Sequence, residues 1–142
     1  MDLVVCALAL THVPDLAPVM AEFARVLRPG GHLIITDMHP ESLLRGSIPP
    51  VRDQDGRPGR LVSHRRLVGD YLRAALPLGL EVRRCAEPVA AERSEAAADS
   101  PGPWELWPWS LADLVPEATK AAYAGSPAMI IWQFQLSYSS GS

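Results

Sequence analysis

Residues 2–40 read DLVVCALALTHVPDLAPVMAEFARVLRPGGHLIITDMHP, and this stretch decides the fold. Leu3 to Leu8 is a short, unbroken apolar run rich in valine, which predicts a strand covered on both faces. Thr11-His12-Val13-Pro14 interrupts it. Asp15 is a good N-cap, and Pro18 is tolerated in a first helical turn. Leu16, Val19, Met20, Phe23, Val26 and Leu27 then recur at helical spacing, with Glu22 and Arg25 on the solvent side. Arg28-Pro29-Gly30-Gly31 cannot extend a helix, and Leu33-Ile34-Ile35-Thr36 begins a second apolar strand that Asp37 stops. Strand, helix and strand in 37 residues, with a connection of crossover length, make a βαβ unit on parallel strands.

The chain around this unit has 142 residues, enough for one domain over residues 1–142. A chain of this size buries roughly 70% of its unfolded surface. With 48% apolar and 20% charged residues, the composition is that of an ordinary globular protein. Thirteen basic against sixteen acidic side chains leave a net charge of −3, so nothing drives binding to a phosphate backbone and no nucleic-acid partner is expected. The two cysteines, Cys6 and Cys85, share no CxxC or CxxH spacing. That argues against a zinc site and a disulfide framework, reads both as small buried hydrophobes, and suits the cytoplasm. The run Leu3–Leu10 follows Asp2 rather than a basic residue and is far short of the ~20 residues of a membrane span, so neither a signal peptide nor a membrane partner is expected.

Beyond His39 the pattern loosens. Pro49, Pro50, Gly56, Pro58 and Gly59 mark residues 41–62 as a flexible loop or flap. A helix is expected from Arg65 to Leu78, with Leu67, Val68, Tyr71, Leu72 and Ala75 on one face. Leu80 to Cys85 alternates apolar and charged residues, as a strand near a sheet edge does. Residues 90–103 read as a loose polar excursion, Leu111 to Ala124 as partly helical, Met129 to Leu136 as the last strand and 137–142 as a polar tail.

Residues 2–40 resemble the fourth strand, following helix and fifth strand of the class I S-adenosylmethionine-dependent methyltransferases. Arg25-Val26-Leu27-Arg28-Pro29-Gly30-Gly31 ahead of an apolar strand is the most specific part. Gly79-Leu80-Glu81-Val82 looks like the sixth-strand region, and Pro127-Ala128-Met129-Ile130-Ile131-Trp132 like the last strand. The resemblance implies an α/β fold: a partial Rossmann-like sheet of four strands, the last antiparallel, with flanking helices. It also implies methyl transfer from S-adenosylmethionine to a small-molecule acceptor. The family's glycine-rich cofactor turn has no counterpart, because no GxGxG occurs in the sequence. That absence favours a second reading, a non-catalytic remnant serving as an interaction or oligomerisation module. With a neighbour missing beside it, the first strand is expected to offer an exposed edge through which the chain forms a homodimer.

By the same resemblance Cys6, Ala7 and Leu8, at the end of the first strand, line the cofactor pocket. His12 lies just past that end, where open α/β sheets bind their ligands, and is the candidate catalytic base. Asp37 and His39, after the second strand, are candidates for substrate binding. Trp104, Trp107 and Trp109 suggest an apolar lid or a cap over the sheet. No GxSxG elbow, GxxxxGK(S/T) loop or HExxH helix is present, and no metal site is expected.

Overall fold

The structure, a computed structural model, describes residues 1–46, 48–89, 117, 118, 121 and 124–138. The tryptophan cluster, the 90–103 excursion and most of the 111–124 segment therefore lie outside the described residues, as does the tail beyond Tyr138.

Strand β1 (Leu3–Ala7), helix α1 (Leu16–Val26) and strand β2 (His32–Met38) form the expected βαβ unit, with β1 and β2 parallel. Asp15 caps α1 by accepting from the Ala17 N–H at 3.0 Å. The turn from α1 into β2 needs both of its glycines. Gly30 sits at φ 78°, and a Cβ at Gly31 would come within 2.9 Å of the Arg28 carbonyl and 3.0 Å of the Met1 carbonyl. Next come α2 (Pro40–Leu44), β3 (Pro50–Arg52), β4 (Pro58–Arg60), α3 (Val68–Ala75), β5 (Leu80–Ala86) and β6 (Met129–Leu136).

The main sheet has the order β1-β2-β6-β5. The last strand is antiparallel, as the family resemblance implies, and it inserts between β2 and β5. One face carries the core: Leu33, Ile35, Ile130, Trp132, Phe134 and Leu80 from the sheet, closed by Leu16 and Met20 of α1 and Tyr71 and Ala75 of α3. Trp132 stacks on Phe134 with ring centroids 5.3 Å apart and meets Tyr71 at 5.7 Å. Both helices pack on this face, so the period-2 alternation of β2 and β6 decides which side chains are buried.

Several expectations are corrected. β1 is not covered on both faces: Leu3 is 54% and Val5 62% exposed, because the strand has one neighbour and its outer face meets no helix among the described residues. Residues 41–62 are not simply a loop, since they hold most of α2 and the β3–β4 ribbon. The third helix begins at Val68 rather than Arg65; Asp70 accepts from the Leu67 N–H at 2.7 Å and fixes its start, leaving Leu67 exposed. Cys85 is exposed on the edge strand rather than buried.

Candidate functional site

The carboxyl ends of the parallel strands β1 and β2 are where an open α/β sheet has room for a ligand. The Leu8 N–H makes the final rung, to the Thr36 carbonyl at 2.7 Å. Leu8 itself stands at φ 53°, the only non-glycine residue at positive φ among those described, with its side chain 51% exposed. A left-handed leucine costs on the order of 1 kcal/mol or more, and such strain concentrates at ligand sites. The chain then closes a 3-10 turn, Leu10–His12, anchored by the buried Leu10 and Thr11.

A strap, residues 61–66, crosses this turn. The His64 N–H donates to the Thr11 carbonyl at 2.7 Å, and the Thr11 hydroxyl donates to the His64 carbonyl at 3.5 Å. Arg66 Nη2 donates to the Val13 carbonyl. His12 Nδ1 donates to the Val62 carbonyl at 2.8 Å. A carbonyl only accepts, so this bond places the neutral imidazole's proton on Nδ1 and its lone pair on Nε2. Nε2 has no partner among the described residues.

Deeper in the same end, Asp37 is fully buried. Its Oδ2 accepts from the Tyr71 hydroxyl at 2.7 Å and its Oδ1 from the Met38 N–H at 3.0 Å. Burial, then the bond to Asp37, pushes the Tyr71 phenol far above the usual tyrosine range. Burial, then the charge of Asp37, also raises the Cys6 thiol, which therefore stays protonated and weakly nucleophilic. His39 is buried as well. Its Nδ1 accepts from the Glu41 N–H at 3.2 Å, capping α2, and its Nε2 donates to Glu87 at 3.1 Å.

The candidate residues thus separate. Ala7, Leu8 and His12 come together at the strand end, with Ala7 and Leu8 exposed. Cys6 turns the other way and packs on the core. Asp37 and His39 reach the same end of the sheet, but each is buried with its polar atoms bonded within the chain. Nothing in the sequence pairs Asp37 with Tyr71, or His12 with the Val62 carbonyl; these are products of tertiary packing. No group of three or more His, Cys, Asp or Glu able to hold a metal occurs among the described residues, and no described helix is long and apolar enough to cross a membrane.

Comparison with known proteins agrees with this architecture. A family model described as Methyltransferase domain matches residues 1–35. No curated protein matches the sequence. Among solved structures, an S-adenosylmethionine-dependent methyltransferase from Listeria monocytogenes aligns with TM-score 0.62 and 15% identity over 96% of this chain and 62% of its own. One from Mesorhizobium loti gives TM-score 0.56 and 19% identity over 95% and 62%. A methyltransferase from Haloferax volcanii, solved with a methyltransferase activator, gives TM-score 0.56 and 17% identity over 97% and 55%. The chain therefore spans about three fifths of the length of the structures it matches. Its fold is a partial class I S-adenosylmethionine-dependent methyltransferase fold. S-adenosylmethionine would find here one apolar wall only, exposed Ala7 and strained Leu8, beside an outer edge of β1 that has no partner strand among the described residues.

Proposed function

We propose that this chain serves S-adenosylmethionine-dependent methyl transfer to a small-molecule acceptor, in the cytoplasm, with Ala7 and Leu8 against the cofactor and His12 as general base. The carrying observation is the His12 ring, held by one nitrogen and open at the other, beside a strained leucine at the carboxyl end of parallel strands. The cofactor supplies an activated methyl group whose sulfur leaves as a neutral thioether. The chain's residues orient, exclude water and accept a proton. Cys6 supports this wall from the core side. Asp37 and His39 shape the acceptor side from beneath: Asp37 holds Tyr71, and His39 joins α2 to Glu87.

The test is a thermal melt of the chain with and without excess S-adenosylmethionine. A ligand that binds only the folded state raises the midpoint by mass action, about 2.7 kcal/mol at a hundredfold excess over Kd. A saturable rise that Leu8→Asp abolishes is the expected result. A cooperative melt that the cofactor leaves unmoved would overturn cofactor binding by this chain.

The bare edge of β1 favours a second reading, an interaction or oligomerisation module that dimerises through that strand. The matched Haloferax volcanii enzyme was solved with an activator protein, so a protein partner is compatible with this fold. Sedimentation equilibrium of the purified chain decides between a pair and a monomer.

A further inference from the structure

Charge is spread unevenly along this chain. Residues 45–66 carry six arginines and two aspartates, a net +4. The remaining residues carry seven basic and fourteen acidic side chains, a net −7. An ordinary solvated face mixes the two signs. The basic segment runs from the end of α2 through the β3–β4 ribbon into the strap, and the ribbon is a two-stranded sheet separate from the main one. Arg52, Arg57, Arg60 and Arg65 are exposed. The two aspartates do not account for this. Asp53 builds the turn, its Oδ1 accepting from the Asp55 N–H at 2.9 Å and the Arg57 N–H at 2.8 Å. Asp55 stands 3.9 Å from Arg57 with both side chains mostly exposed, so that pair contributes little. The register sets Arg52 against Pro58 and Arg60 against Pro50, which places the two arginines diagonally on one face of the ribbon. Like charges so placed weaken a pair of three-residue strands that is marginal by itself. Stability does not call for this arrangement; recognition of an anion does.

We propose that residues 45–66 form a docking surface for an acidic, partly apolar segment of another protein. The arginine fork matches a carboxylate two bonds at a time. Three observations favour a protein segment over a nucleic acid. No Phe, Tyr or Trp occurs from His39 to Asp70, so the surface offers bases no aromatic platform. Leu44, Leu61 and Val62, in or beside the segment, are 68%, 42% and 72% exposed, which suits a partner whose carboxylates alternate with apolar side chains. The −7 carried by the remaining residues repels a long polyanion, whereas a short segment feels mainly the charges within a Debye length of about 8 Å. The surface is defined by charge and exposure alone, so it stands or falls independently of methyl transfer.

The experiment titrates the full chain into a fluorescently labelled short peptide of glutamates and leucines and reads anisotropy. Saturable binding that weakens as sodium chloride rises is expected. Arg57→Glu with Arg65→Glu should lower the affinity about tenfold. Arg25→Glu with Arg83→Glu changes the net charge equally, but on α1 and β5, and should leave the affinity within about twofold. If the first pair melts early, Arg57→Gln with Arg65→Gln replaces it, with a loss of about threefold. Absence of saturable binding overturns the proposal. So do equal losses from the two reversed pairs, because the peptide then senses the charge of the whole chain. Equal binding of the same peptide with lysine in place of glutamate assigns the contact to the leucines and overturns charge recognition. Tighter binding of a duplex RNA than of the peptide overturns the partner class.

Discussion

The two edges of the sheet are finished differently. On β5, Glu81, Arg83 and Arg84 face solvent, Arg83 donates to Glu81 at 2.6 Å and to Gln135 at 2.9 Å, and a bulge breaks the register between Val82 and Arg84. Charge and irregularity are the usual devices that stop another strand from adding to a sheet. On β1 no charged residue occurs from Leu3 to Leu10, pairing with β2 is regular over all five residues, and Leu3 and Val5 are mostly exposed. Among the described residues, then, β5 carries the devices of an outer edge and β1 carries none of them. The candidate site lies at the end of β1.

Charging that edge is the strongest way to break the contrast. Leu3→Lys with Val5→Lys should convert an edge-paired dimer wholly to the 15.4 kDa monomer in sedimentation equilibrium, while the melting midpoint moves little because both side chains are exposed. A native chain that sediments as a monomer would remove the pairing and leave the edge merely bare. Phe134→Ala acts between the edges. The residue is fully buried on β6, which joins both halves of the sheet, so denaturant titration should show a loss of about 3–5 kcal/mol.

Smaller effects sharpen the comparison. Tyr71→Phe strands one oxygen of buried Asp37 near the β1 side and should cost about 1–3 kcal/mol. The same phenol carries a pH dependence. Its folded-state pKa is raised, so its contribution is complete below the ordinary tyrosine value of 10.0 and is lost as pH rises beyond it. Absorbance titration of the folded protein should show Tyr71 resisting ionisation, and Tyr71→Phe should flatten the alkaline fall in stability. Last, Arg83→Val with Arg84→Val on β5 should change stability by only about 0.5 kcal/mol, as expected of exposed pairs. Light scattering of that variant should nevertheless rise, because the second edge is then bare too.

The βαβ unit was legible because each of its devices is local. Asp15 caps from the adjacent residue, the α1 stripe repeats every three to four residues, and Gly30 and Gly31 sit where a side chain has no room. The antiparallel last strand followed from family resemblance rather than from pattern. What the sequence withheld is long-range. An apolar run such as Leu3–Leu8 reads the same whether one face or two are covered. A histidine's tautomer is decided by an acceptor fifty residues away, as Val62 decides it for His12. Asp37 and Tyr71 are each ordinary in sequence and become a buried pair only when α3 lies across the sheet.

The strand that closes the gap between β2 and β5 is also the one that leaves the ribosome after all its partners. Until Met129–Leu136 emerges, β2 and β5 have no strand to join them, and the core around Tyr71 lacks Ile130, Trp132 and Phe134. The nascent chain must therefore wait with its apolar surfaces open, and at about 5–20 residues per second that interval lasts several seconds. A chaperone that shelters β1 and β2 during this wait should raise the yield of native protein far more than one that acts after release.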